Sequence, residues 1–229
     1  MNTFQTFLDG LDWSMLSDIL LNVIPALLCI TLHEISHGFV AYKLGDPTAK
    51  NMGRLTLNPI KHIDIVGLIM MVFAGFGWAK AVPVDMRNFK NPKRDMAITA
   101  AAGPISNFII AVFMLLLYGL LYYPLVVANA VWADTILSII SKTATLSTAL
   151  AIFNIIPIPP LDGSKVLFSF LNEKHYYTLM KYERYGMIVL VVLLLTNVLD
   201  GPLNTAVSFL MDKMFVVAEF GFEIAKKFI

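Results

Sequence analysis

His33-Glu34-Ile35-Ser36-His37 reads H-E-x-x-H, and it lies inside an apolar segment running from Ile19 to Leu44. On a helix, residues four apart share a face, so His33 and His37 can reach one zinc ion together. Glu34 stands beside them as a candidate general base. Ionisable side chains are costly in a lipid-facing helix and mark function there by default. The stretch therefore predicts a zinc hydrolase built within a membrane.

The composition agrees. Hydrophobic residues make up 58% of the 229 and charged residues only 14%, against about 25% charged in ordinary soluble domains. Mean hydropathy is +0.73. The expected fold is an all-α polytopic membrane protein of about five or six membrane helices, with a small membrane-associated β element after the first helix. Residues 1–229 read as a single membrane-embedded domain, with a core over about 19–199 and a C-terminal hydrophobic or amphipathic helix over about 202–228. Net charge is +1, which gives no reason to expect nucleic acid. The single cysteine, Cys29, excludes an internal disulfide. The first 18 residues hold Asp9, Asp12 and Asp18 and no Lys or Arg. A cleavable signal peptide wants a basic start, so the segment from Ile19 is expected to act as an uncleaved anchor.

Further apolar segments run over 96–123, 135–156, 185–199 and 203–222. The run Ile65–Ala79 is short for a span. Between these lie polar loops, within which Gly53-Arg54-Leu55-Thr56-Leu57 alternates like a short strand. The loops 46–64 and 80–95 are both basic, so the positive-inside rule puts both in the cytoplasm and the acidic N-terminus outside. Ile65–Ala79 then cannot cross; it dips in and returns, or lies in the interface. On this topology the segment-one motif and Asp162 share the cytoplasmic side.

A catalytic zinc usually takes three protein ligands and leaves a position for water. His62 and His175 sit in basic loops and are weak candidates for the third. Cys29 is eight residues from His37, roughly 12 Å of helix rise, too far to share the ion. Asp162 is the best remaining candidate, a carboxylate in a Pro- and Gly-rich break; the competing reading makes it a turn residue of Asp-Gly. Asn154, one turn before Pro157, either caps backbone groups freed by the proline or binds substrate. Gly103-Pro104 reads as a kink or a close helix contact, and Asn107 as an interhelical hydrogen-bonding residue. Lys142, midway through its segment, is expected to snorkel or face a cavity. A metal or proton transporter is the main rival reading, but it calls for ionisable groups in several spans and often repeat symmetry. A non-catalytic protein on the same fold is the other, though Glu34 is intact.

Taken together, His33–His37, Gly103-Pro104-Ile105-Ser106-Asn107 and Asn154 through Gly163 resemble, in order and spacing, the core of the site-2 protease family of intramembrane zinc metalloproteases. Gly53–Pro59 and Gly77–Val84 resemble its compact prokaryotic branch, without PDZ or CBS domain. The resemblance implies His33, His37 and Asp162 as ligands of one zinc per chain and Glu34 as general base. It implies that Asn154 contacts the substrate backbone or developing oxyanion. It also implies that strands near Gly53–Leu57 and Ala81–Val84 bind unwound substrate. The implied partners are a transmembrane protein substrate and the lipid bilayer. The implied place is a prokaryotic cell membrane, with the active site toward the cytoplasm.

Overall fold

Trp13–Lys43 forms the first helix, α1, in a computed structural model that describes residues 13–74 and 77–228. After it come α2 (Thr48–Asn51), α3 (Ile65–Ala74) and the long α4 (Pro92–Val127). Next are α5 (Ala133–Ile155), α6 (Asp162–Phe168), α7 (Glu173–Lys181), α8 (Glu183–Leu195) and α9 (Asp200–Phe228). Among the described residues, three helices, Leu21–Lys43, Pro92–Val127 and Ala133–Ile155, are long and apolar enough to cross a membrane; a fourth span exists if α8 and α9, bent by 84° at their junction, cross as one. The chain is thus a mostly helical, multi-pass membrane protein. The expected five or six membrane helices reduce to these because α8, read as a span of its own, has only 13 residues, about 20 Å of rise against a hydrocarbon core of about 30 Å, and α3, with 10 residues, is shorter still.

In lipid no hydrophobic gain drives one helix onto another, so close packing of small residues has to. α4 is the hub, packing against α1, α5 and α9. Its Ala111 and Leu115 meet Ala144 of α5 and Met214 and Ala218 of α9. Gly119 lets the α9 backbone come so near that a methyl group there would strike the Ala218 carbonyl. The outward faces keep their large apolar side chains exposed, among them Ile105, Ile109 and Phe113 on α4 and Phe209 and Phe220 on α9. Lys142 reaches across to α1, where its Nζ donates to Asn22 Oδ1 at 2.9 Å.

The strand expected over Gly53–Leu57 is not formed, and the described residues contain only an isolated antiparallel bridge between Ile63 and Ala79. The alternation was misleading because the wrong side chain turns inward. Arg54 is buried, donating from Nη2 to the Lys80 carbonyl at 2.7 Å, while Leu57 is 71% exposed. Gly53, at φ +63°, closes the turn after α2.

Asp46 fixes this polar layer to the end of α1. Fully buried, its carboxylate accepts from Thr48 N and Oγ1, Asn88 Nδ2 and Asp85 N. Burial pushes its pKa up, and these donors outweigh burial, holding it below the usual carboxylate value. Loops 46–52 and 85–88 are thereby tied together beside the site.

Candidate metal centre

His33 and His37 lie one turn apart on α1, both buried, with ring centroids 4.6 Å apart. Their Nε2 atoms approach to 3.0 Å. Asp162, the first residue of α6, brings Oδ2 to 3.2 Å from His33 Nε2 and 3.1 Å from His37 Nε2. Backbone contact explains how it gets there. Gly163 packs on the Ile155 carbonyl at the end of α5 so tightly that no side chain fits. That turns the chain after the Pro157-Ile158-Pro159-Pro160 break back over α1.

The triangle suits zinc. Ligand atoms about 2.0–2.1 Å from a tetrahedral ion stand about 3.3 Å from one another, close to the distances found. The donor chemistry agrees. His37 Nδ1 lies 2.7 Å from the Thr99 carbonyl, which can only accept, so Nδ1 carries the proton and a neutral ring turns the Nε2 lone pair toward the other two atoms. Buried Asp162 Oδ2 has no aligned hydrogen-bond donor despite its two nitrogen neighbours. With His33 in the same tautomer, three lone-pair atoms would face one another in a buried space, an arrangement that a cation relieves.

Glu34, also buried, accepts from the backbone N–H of Val82 at 2.7 Å. These four side chains line a cavity of about 280 Å³ together with Ala81, Val84, Asn154 and Lys165. Asn154 reaches this cavity, though its Nδ2 donates to the Leu150 carbonyl at 3.0 Å. A larger cavity of about 450 Å³ lies between α5, α8 and α9. Its lining is mainly Leu, Phe, Val and Ala and holds no histidine, so the reactive groups mark the smaller one as the site.

The other sequence candidates lie elsewhere. His62 is buried against the Thr56 carbonyl, at 2.9 Å from Nε2. His175 is exposed and bonds Asn172. Cys29 pairs with Ser147 at 3.0 Å. Among the described residues, His33, His37 and Asp162 form the one cluster of three able to hold a metal ion.

A model of peptidase family M50 matches residues 121–197, a stretch that contains Asn154 and Asp162 but not the α1 motif. Relatives match a longer share of the chain. The "Putative zinc metalloprotease YwhC" of Bacillus subtilis (strain 168) is 41% identical over 177 residues, 76% of this chain and 80% of that protein. The chain belongs to peptidase family M50, the site-2 protease family. A more distant relative, "Putative zinc metalloprotease Rip2" of Mycolicibacterium smegmatis, is 32% identical over 180 residues, 76% of this chain and 66% of that one. No solved structure matches the chain significantly. As an M50 member, the protein is a zinc metalloendopeptidase.

Two features of this M50 centre were not read as functional from the sequence. A methyl group at Gly103 of α4 would lie 2.5 Å from His33 Cε1 and would strike His37 Nε2. The glycine is thus needed less for a kink than for α4 to lie against the two imidazole rings. Gly103→Ala is expected to lower zinc content and Tm together, with an overpacking cost of about 1–3 kcal/mol; wild-type zinc and Tm in that variant would refute this. The second is the Val82 amide on Glu34. Backbone contacts of this kind leave no trace in residue identity. For Gly103 a signal existed: it opens the Gly103-Pro104 block of an apolar helix.

Proposed function

We propose that this chain hydrolyses peptide bonds in or near transmembrane segments of other membrane proteins, as one membrane-embedded domain over 1–229. His33, His37 and Asp162 are the proposed ligands of one zinc per chain, and Glu34 the proposed base. One observation carries this reading: three ligand atoms and a carboxylate converge on a cavity near the end of apolar helices, where His37 is six residues from Lys43 at the end of α1. The basic loops gather at that same end, which the positive-inside rule assigns to the cytoplasm. Bacterial relatives support a prokaryotic cell membrane.

Zinc, when bound, polarises a scissile carbonyl and brings the pKa of water to about 7. The protein's own groups do the rest. Glu34 takes a proton from the attacking water and returns it to the departing nitrogen. Asn154, at the cavity wall, is placed to hold the substrate backbone once its amide leaves the Leu150 carbonyl. A helical substrate buries its scissile bond in its own hydrogen bonds and must unwind locally. The segment Ala81–Val84 offers a place for the freed backbone. Val82 precedes Pro83, which biases it toward β conformation. The Ala81 and Val84 N–H groups have no partner among the described residues. An added substrate strand would satisfy the Ala81 N–H, which faces the edge opposite the Val82 N–H held by Glu34, and would lie beside the Ile63–Ala79 bridge.

The test is reconstitution in liposomes with a single-span protein carrying a helix-weakening Gly or Pro. Mass spectrometry should place the cut in or beside the apolar segment, with loss on chelation and recovery on adding zinc. Cleavage restricted to soluble peptides would overturn the intramembrane reading.

A further inference from the structure

Thr99, Gly103 and Asn107 recur every fourth residue of α4 and present one stripe to the His33–His37 stripe of α1. At one end the Thr99 carbonyl takes the Nδ1 proton of His37. At the other, Asn107 Nδ2 as placed lies 3.2 Å from Nδ1 of His33, with Oδ1 turned away. Asn107 is fully buried, and its other polar atom has no protein partner.

We infer that Asn107 presents its carbonyl oxygen, Oδ1, to His33 Nδ1–H, and so holds His33 in the tautomer that can bind metal. The oxygen and nitrogen of an amide exchange places on a half-turn and look alike by shape. In either orientation Asn107 makes one bond to His33, so its own pairing does not choose between them. The metal does. If the nitrogen faced His33, Nδ1 would have to accept, and the neutral ring's proton would sit on Nε2. That atom is 3.2 Å from Asp162 Oδ2 and 3.0 Å from His37 Nε2, and with a proton it has no lone pair for zinc. With Oδ1 facing His33, both histidines carry their protons on Nδ1 against acceptors from α4, and both Nε2 lone pairs point into the triangle. Asn107 is then a positioning residue, acting on the metal through His33. The inference rests on the proposed ligand set.

Two substitutions separate acceptor from donor. Asn107→Asp keeps an acceptor oxygen and removes the NH2; Asn107→Leu keeps the approximate volume and removes both. In detergent-purified protein, chelator competition should show Asn107→Asp holding zinc at least as tightly as wild type, with unchanged visible bands after cobalt substitution. Asn107→Leu should bind zinc about 10–100-fold more weakly with altered bands. Wild-type affinity and bands in Asn107→Leu would overturn the inference alone, as would a loss in Asn107→Asp equal to that in Asn107→Leu. Histidine-selective 15N spectra of the zinc-loaded wild type need no variant: a protonated His33 Nδ1 supports the assignment, and an unprotonated one refutes it. Zinc retained by His37→Ala, or none held by wild type, would overturn the ligand set and this inference with it.

Discussion

Glu34→Gln is expected to keep its zinc and lose peptide hydrolysis by about 10²–10⁴-fold, the usual contribution of a positioned acid–base group. The structure makes this substitution unusually clean. Glu34 has a second task, accepting the Val82 N–H at 2.7 Å, and glutamine retains one oxygen for it. The segment Ala81–Val84 should therefore stay where it is, and the proposed ligands His33, His37 and Asp162 are untouched. Only the capacity to take a proton disappears. Glu34→Ala would confound the two tasks by releasing the segment as well. The measurement pairs zinc content with initial cleavage rate on the reconstituted substrate. A Gln variant with wild-type rate would remove Glu34 from the chemistry; one that loses zinc would show that it supports the metal.

Asp162→Ala is expected to release zinc more completely than any loss in the surrounding hydrogen-bond shell, exceeding the about 10–100-fold of such changes. Two imidazoles remain, one short of the three ligands a catalytic zinc usually takes. The alternative, a turn residue of Asp-Gly, makes a different prediction: lower Tm and unchanged metal. Asp162→Asn sharpens the comparison. It keeps the shape and the turn preference of the aspartate but loses the charge that offsets the ion's. Metal analysis of the purified wild type, Asp162→Asn and Asp162→Ala, with Tm alongside, decides. Zinc held equally by all three would remove Asp162 from the ligand set.

The sequence made the long helices legible because lipid imposes a simple demand. Runs such as 96–123 and 135–156 are apolar without a charged interruption beyond Lys142, and α4 and α5 cover them with ends shifted by a few residues. The short elements were harder. The polar loop after α5 folds into α6 and α7, and the 53–57 alternation failed, because burial of Arg54 is decided by a carbonyl 26 residues away. In the centre, His33, Glu34 and His37 were readable because helix spacing alone puts them together. Asp162 was narrowed to by charge and by the Pro–Gly break, and the structure brings it to the two imidazoles. Asn107 was read as an interhelical hydrogen-bonding residue, and it does bond across helices; that its partner is His33 depends on the rotation of α4 about its axis. No local pattern encodes that angle. The same holds for the Thr99 carbonyl and the Val82 amide, which any residue could supply.

Asp162 enters the site only after α4 and α5 have been made, since it follows both in the chain. On the proposed ligand set, a nascent protein with α1 already inserted is a protease without its metal. It can begin to cut only when the break after α5 has folded back onto the first helix. Activity is thereby deferred until α6 has been made, and a truncated product ending before it lacks the third proposed ligand.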